Sequence, residues 1–331
     1  MKLGKLNLEN RYILAPMLNV TTAPYRRFCR KLQRIGLVYV PMLYAKKIEK
    51  NHRSIEKDLL KIEEERPIGI QIIGSDPEAL KKTIDYLDSY KFDILDLNAG
   101  CPSKRAIRAK EGGYLMNDLD KLSVLLETAV KYSSNPVSLK IRTGFEQPVN
   151  IKRMINIVND TGIDLLIVHA RTVLSKYNDG TLDLDTVKKL KERLMVPVVG
   201  NGDIINPVTA KRFIDYTNVD AFMIGRESMG NPEIFNQIHE YLVNNRLISF
   251  KNSKEIMEKY ILLFENSIDE FLDGISHPLG NEVIKFVEIK RNAIWLSKNI
   301  NKSAKIRNNL STANNLIELK KILREYFNVH S

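Results

Sequence analysis

Eight short runs of apolar, largely β-branched residues recur along the first 245 residues, and segments of helical periodicity lie between them. Most runs are almost continuously apolar, as expected of parallel strands buried on both faces. Parallel strands need crossover connections, which are usually helices, so the alternation predicts an α/β fold. The predicted strands are 12–15, 38–41, 68–73, 94–98, 137–141, 165–169, 197–200 and 221–225, and the clearest helical segments are 77–90, 119–132, 150–161 and 184–194.

Eight strand-helix units over this length match the roughly 250 residues of a (β/α)8 TIM barrel. A doubly wound sheet is the alternative, but no GxGxxG fingerprint follows the first strand. After residue 246 the strand pattern stops, and the segments 253–272, 281–298, 303–309 and 312–327 have helical character. We therefore predict two domains, a barrel over residues 1–245 and an all-helical domain over 246–331.

Composition limits the class of protein and its partners. The net charge of +11 favours a polyanionic partner. No apolar run approaches the ~18 residues that span a bilayer, and the first residues lack a signal-peptide pattern, so we expect a cytoplasmic protein without membrane contact. Two cysteines are too few for a disulfide framework, and too few Cys and His clusters are present to predict a metal site.

Polar residues concentrate where the predicted strands end, and those ends form the functional face of a TIM barrel. The end of the second strand carries no such group. The set suits one polar, phosphorylated ligand and comprises Gln71 in strand three, Asn98 and Cys101 after strand four, Lys140 and Arg142 at strand five, His169 and Arg171 at strand six, Asn201, Gly202 and Asp203 after strand seven, and Gly225 and Arg226 after strand eight.

Individual members of this set allow more than one interpretation. The glycine-bearing turns after strands seven and eight suit a phosphate group, although either alone could simply be a tight turn. Lys140 should face an anion such as a reduced flavin, but a Schiff-base lysine or a salt bridge fits equally. Gln71 could bind a flavin's pyrimidine edge or its own scaffold.

Cys101 follows strand four in a turn that contains Gly100 and Pro102. A free thiol is largely protonated at neutral pH, so Cys101 can donate a proton without a partner, whereas a nucleophilic thiolate would need a cation or histidine beside it. This favours a general acid. Cys29 lies within a helical pattern and is interpreted as a buried apolar residue.

Short motifs occur in order along the chain: Leu14-Ala15-Pro16-Met17, Asn98-Ala99-Gly100-Cys101-Pro102, Gly112-Gly113-Tyr114-Leu115-Met116, Lys140-Ile141-Arg142-Thr143-Gly144, His169-Ala170-Arg171-Thr172, Asn201-Gly202-Asp203-Ile204, Gly225-Arg226 with Gly230-Asn231-Pro232, and the tail segments 290–298 and 303–310. Taken in order, these motifs resemble those of the tRNA-dihydrouridine synthase family. The resemblance spans nearly the whole chain, including the tail.

The resemblance implies an FMN-binding, catalytic barrel that reduces the C5–C6 double bond of uridine in tRNA, with NADPH or NADH as reductant, and a helical domain that binds tRNA. Cys101 would protonate C5, and Asn98 would hold the uracil. The residues that would bind FMN by this resemblance are Pro16, Met17, Leu18, Gln71, Lys140, His169, Asn201, Gly202, Asp203, Gly225 and Arg226.

Basic residues are the expected contacts to RNA phosphates. A solvated charged surface is the alternative interpretation of the same residues. The predicted RNA contacts are Lys104, Arg105, Arg108, Lys290, Arg291 and Arg307, and the strand-end residues Arg142 and Arg171 are predicted to bind substrate.

Two other functions remain open at this stage. One is an FMN-dependent dehydrogenase of a free pyrimidine, similar to dihydroorotate dehydrogenase, which would not need the basic helical tail. The other is a barrel without catalysis that only binds RNA. The sequence does not indicate which uridine is reduced.

Overall fold

The computed structural model describes residues 2–250, 253–298, 300 and 303–328. Eight parallel strands form the barrel, and each pairs with its neighbours around the ring. The ring closes between β1 and β2 by a single bridge from Ile13 to Leu37. The predicted TIM barrel is confirmed. The strands are β1 (Tyr12–Leu14), β2 (Val38–Tyr39), β3 (Ile68–Ile73), β4 (Ile94–Ala99), β5 (Val137–Arg142), β6 (Leu165–His169), β7 (Val198–Asn201) and β8 (Ala221–Ile224). A further two-residue strand, Leu43–Tyr44, pairs in parallel with β3.

Helices surround the barrel and form the C-terminal region. Several begin with a side-chain cap: Asp76, Asn150 and Ser253, for example, each accept a hydrogen bond from a backbone N–H of the first turn. The helices are α1 (Ala23–Leu32), α2 (Ala45–Lys50), α3 (Glu56–Leu59), α4 (Pro77–Asp88), α5 (Lys104–Arg108), α6 (Leu119–Tyr132), α7 (Ile151–Thr161), α8 (Leu184–Arg193), α9 (Pro207–Thr217), α10 (Ile234–Asn244), α11 (Lys254–Leu272), α12 (Asn281–Leu296), α13 (Ser303–Thr312) and α14 (Leu316–Asn328).

The lower half of the barrel interior is apolar and closely packed. The ring of Tyr39 fills it, and a Cβ at Gly69 would lie 2.3 Å from that ring, so only glycine fits in β3 beside it. A hairpin of Lys2–Leu3 and Leu6–Asn7, which the sequence analysis did not predict, contributes Leu3 and Leu6 to the same apolar cluster. The hairpin thereby closes the bottom of the barrel.

Polar side chains line the upper half of the interior, and they point inward because side chains along a strand alternate between its two faces. In β3, Ile70 and Ile72 pack outward in the main core, whereas Gln71 between them lines the upper opening. The same alternation turns Lys140 of β5 and His169 of β6 toward that opening. Strand geometry therefore brings together groups that are far apart in sequence.

The C-terminal helices pack against the barrel through aromatic contacts. The ring of Phe28 in α1 lies 4.9 Å from that of Phe264 in α11, and Tyr25 lies 5.6 Å from Trp295 in α12. The predicted helical character of this region is confirmed, and the domain boundary at residue 245 stays a prediction. Within the part of the chain that the structure describes, no helix is both long and apolar enough to cross a membrane.

Candidate active site

A cleft of about 1560 Å³ opens at the C-terminal ends of the barrel strands and extends to the C-terminal helices. This is the face where TIM barrels carry their active sites. The predicted site residues that line it are Pro16, Met17, Leu18, Gln71, Asn98, Cys101, Lys140, Arg142, His169, Asn201, Gly202, Asp203, Gly225, Arg226 and Arg307.

Cys101 lies at the wall of the cleft on the loop after β4. Its thiol donates a hydrogen bond to Ser103 Oγ at 3.4 Å, and its backbone N–H donates to Asn98 Oδ1 at 2.9 Å. Cys101 is partly exposed, while Cys29 is fully buried and burial raises the pKa of the Cys29 thiol to about 12. Of the two thiols, Cys101 alone is accessible for chemistry in the cleft.

Beneath Cys101 a buried polar network connects β3, β4 and β5. Gln71 Nε2 donates to Asp96 Oδ2 at 2.6 Å, and Gln71 Oε1 accepts from Asn98 Nδ2 at 2.8 Å. Ser138 Oγ donates to Asp96 Oδ1 at 2.5 Å. Burial raises the pKa of Asp96, and the hydrogen bonds from Ser138 and Gln71, together with the charge of Lys140, oppose that rise. Asp96 was not among the predicted site residues.

Lys140 and His169 give the cleft its electrostatic character. Burial lowers the pKa of Lys140, partly offset by Asp96, and its ammonium makes a long hydrogen bond of 3.4 Å to Asn201 Oδ1. Burial and then the neighbouring cations, Arg142 first, lower the pKa of His169 well below its ordinary value. His169 is therefore neutral at physiological pH, and its buried Nδ1 has no hydrogen-bond partner.

These two groups test whether a flavin fits the cleft. A buried ring nitrogen without a partner is rare in proteins and suggests that a bound molecule completes its hydrogen bonding. A partly desolvated ammonium with one long hydrogen bond is suited to an electron-rich acceptor. Both line the same cleft as the turns that contain Gly202 and Gly225. The side chains present thus fit a polar, phosphorylated cofactor.

Arg142 and Arg171 were predicted to contact substrate, but in the structure both guanidinium groups bind protein groups. Arg142 lines the cleft, but its Nε donates to Gly100 O and its Nη1 to the carbonyls of Thr172 and Lys176, at 3.0, 2.8 and 2.6 Å. Arg171 is 1% exposed, does not line the cleft, and forms a two-point ion pair with the Asp203 carboxylate. In this structure both guanidinium groups brace the loops after β5 and β6.

The predicted RNA contacts lie on three helices: α5, α12 and, for the cleft-lining Arg307, α13. Lys104, Arg105 and Arg108 are exposed on α5 beside the cleft, and the Arg105 guanidinium lies 4.0 Å from the ring of Tyr44. In α12, Lys290 Nζ donates to the carbonyls of Ser311 and Ala313.

Arg291, next to Lys290, donates to the carbonyl of Asn19 in the loop after β1 and lies 3.4 Å from a carboxylate oxygen of Glu288. The cationic groups of Lys290 and Arg291 therefore contribute to packing of the chain on itself. Their predicted RNA contacts stay predictions.

Several cleft residues were not found from the sequence. The end of the second strand was predicted to be empty, but Met42 and Tyr44 follow β2 and line the cleft. Tyr177 lies 4.3 Å from the Arg226 guanidinium and 5.0 Å from that of Arg142, and Trp295 reaches the cleft from α12. Of these, only Tyr177 has a sequence signal, its position in the loop after the His169 motif.

No group of three or more potential metal ligands occurs among residues 2–250, 253–298, 300 and 303–328.

Comparison with known proteins agrees with this geometry. The chain is 34% identical over 275 residues to tRNA-dihydrouridine synthase B of Vibrio parahaemolyticus, an alignment that covers 82% of this chain and 84% of that protein. It is also 34% identical over 254 residues to tRNA-dihydrouridine synthase B of Escherichia coli K12, covering 75% and 77%. Morphinone reductase shares the fold, with a TM-score of 0.53 at 12% identity, over 75% of this chain and 90% of that structure. The family model described as dihydrouridine synthase matches residues 13–330, and the chain belongs to this family.

Proposed function

We propose that this chain is a flavin-dependent oxidoreductase that reduces uridine in tRNA to 5,6-dihydrouridine, with FMN as cofactor, NADPH or NADH as reductant and Cys101 as proton donor. The observation that carries the proposal is the position of an accessible thiol on the wall of a cleft that also holds Lys140 and His169. Family membership supports the reaction.

The proposed cofactor contacts are the cleft residues on β3, β5, β6 and the loops after β1, β7 and β8. Lys140 would bind the electron-rich pyrimidine edge of the flavin, and the unpartnered Nδ1 of His169 would gain a hydrogen bond. Gly202 and Gly225 leave room for the phosphate beside Arg226. When bound, the flavin supplies the hydride, which no side chain can provide.

Cys101 supplies the proton that completes reduction of the C5–C6 bond. Its Sγ–H points toward Ser103 Oγ, from which it can turn to the substrate carbon. Asn98 would contact the uracil through its Nδ2, which here donates its second N–H to Met42 Sδ at an N···S distance of 3.3 Å. Because a thioether is a weak acceptor, a uracil carbonyl oxygen replaces it favourably.

The exposed cations of α5, together with Arg307 at the cleft, support a substrate uridine that is part of an RNA. The target uridine is stacked in folded RNA, and turning it into the cleft costs a few kcal/mol. Phosphate contacts to Lys104, Arg105 and Arg108 offset this cost. An enzyme that acts on a free pyrimidine would have no use for such a surface.

The decisive experiment incubates the purified protein with NADPH and an unmodified tRNA transcript, followed by mass spectrometry of nuclease fragments. We expect a two-hydrogen gain at uridine. Cys101→Ala should abolish the gain while FMN stays bound and reducible, and Cys29→Ala, at the buried thiol, should retain it.

A flavin-loaded protein that modifies neither the transcript nor tRNA from cells lacking this protein would refute the proposal. Oxidation of free dihydroorotate by the same preparation would then favour the free-pyrimidine enzyme. Full turnover by Cys101→Ala would overturn the assignment of the proton donor.

A further inference from the structure

A continuous chain of hydrogen bonds runs from the interior of the barrel to the backbone of the proton-donor loop. Asp96 accepts from Gln71, Gln71 accepts from Asn98, and Asn98 Oδ1 accepts from the backbone N–H groups of Gly100 and Cys101, at 3.1 and 2.9 Å. Asp96 is fully buried, and Gln71 and Asn98 are 1% and 7% exposed. The chain is therefore protected from competing water.

The direction of this chain follows from its two ends. Backbone N–H groups can only donate, so the oxygen of the Asn98 amide must face Gly100 and Cys101, and its nitrogen must face Gln71. Gln71 therefore presents its oxygen to Asn98 and its nitrogen to Asp96. The Asp96 carboxyl accepts from the Gln71 nitrogen, and in its carboxylate form it offers no donor to the oxygen of a flipped amide.

We propose that Asp96 is a positioning residue, whose carboxylate fixes the orientation of the Gln71 and Asn98 amides and thereby holds the Cys101 loop in place for proton transfer. Without this acceptor, only the Asn98 Nδ2 donor distinguishes the two orientations of the Gln71 amide, so the flipped orientation becomes more populated. A flipped Gln71 would present N–H to the Asn98 N–H, and Asn98 would release the Cys101 backbone. The proposal rests on the proposed function only for its effect on turnover.

The test measures the rate at which iodoacetamide alkylates Cys101 in the flavin-loaded protein, by intact-mass spectrometry. The buried Cys29 serves as the internal unreactive thiol. Asp96→Leu removes the acceptor at similar side-chain size, and we expect at least threefold faster alkylation because the loop is released. Gln71→Met cuts the chain at its middle link, keeps the Asp96 charge beside Lys140, and should have the same effect.

A swapped pair separates hydrogen-bond direction from simple packing. In Asp96→Asn with Gln71→Glu, the new carboxylate at position 71 accepts from Asn98, while the new amide at position 96 donates to it and still accepts from Ser138. Net charge and the hydrogen bond from Asn98 to residue 71 are both kept, while the hydrogen bond between residues 71 and 96 is reversed, so the alkylation rate should return to within twofold of wild type. Ser138→Ala, which removes a partner of Asp96 outside the chain, should also stay within twofold.

Turnover provides the second readout. Asp96→Leu should lower kcat for tRNA reduction at least tenfold with KM for tRNA within twofold of wild type, since the RNA-binding surface is untouched. If the wild-type protein forms no dihydrouridine, the proposed function fails, but the alkylation rates still test the chain.

Three results would overturn the proposal. One is a Cys101 alkylation rate in Gln71→Met equal to that of the wild type, whatever the rate in Asp96→Leu. The hydrogen-bonded chain through Gln71 would then not hold the Cys101 loop, and any effect of Asp96→Leu would come from the lost charge. Another is a swapped pair no closer to wild type than Asp96→Leu. The third is a Ser138→Ala rate as high as that of Gln71→Met. If Asp96→Leu does not fold, the Gln71→Met and swapped-pair arms decide alone.

Discussion

Replacement of Gly112 by alanine tests the packing that supports the Cys101 loop. Gly112 has φ of +57°, and a Cβ there would lie 2.8 Å from Ile73 Cδ1 and 3.1 Å from Cys101 Cβ. The left-handed backbone costs an alanine about 1–2 kcal/mol. Overpacking against these two side chains adds about 1–3 kcal/mol. We therefore expect Gly112→Ala to lower the free energy of unfolding by about 2–5 kcal/mol.

Gly162 offers a matched control because its backbone is similar and its surroundings are open. It ends α7 with φ of +72°, and a Cβ there would have no atom within 4 Å. Gly162→Ala should cost only the backbone contribution of about 1–2 kcal/mol. Urea unfolding followed by circular dichroism measures both variants. Equal destabilisation of the two would refute the claim that Gly112 packs tightly against Cys101.

The same pair of variants links packing to activity. The new methyl group at residue 112 pushes on Cys101 Cβ and displaces the thiol, whereas the methyl group at residue 162 is remote from the cleft. At a temperature where both variants are folded, Gly112→Ala should form dihydrouridine at least tenfold more slowly than Gly162→Ala.

Three further predictions concern stability, pH and salt. Glu65→Gln leaves the fully buried Arg26 without its carboxylate and should lower the free energy of unfolding by about 3–5 kcal/mol in urea, against about 0.5 kcal/mol or less for Glu64→Gln at the exposed neighbour. Because the pKa of His169 is lowered in the folded protein, the unfolded chain binds more protons than the folded chain below pH ~6.5, and the free energy of unfolding falls as the pH drops from there. His169→Gln should flatten this pH dependence of the free energy of unfolding. An unchanged slope would contradict the lowered pKa of His169. Arg105→Ala should weaken tRNA binding and reduce the slope of log affinity against log salt by about one. Lys5→Ala, on the hairpin at the opposite end of the barrel, should leave this slope unchanged. Equal slopes for the two variants would count against α5 as the RNA surface.

Local patterns in the sequence determined the barrel and the location of its active face. Buried strands and amphipathic helices are visible as apolar runs and helical periodicity, so 68–73 and 165–169 were predicted at their observed bounds. The order of these elements then implies which ends meet. Cys101, Lys140 and His169 follow from that rule alone, since each lies at a strand's C-terminal end.

Only the tertiary structure decided which donor meets which acceptor. Arg171 was predicted to contact substrate, but a carboxylate 32 residues away, Asp203, occupies its guanidinium. Trp295 reaches the cleft because α12 packs against the barrel, and Tyr44 because Leu43–Tyr44 pairs with β3. Which side chains pair across the barrel depends on strand register and helix packing. These are set by small energies summed over many contacts, and a local sequence pattern does not show that sum.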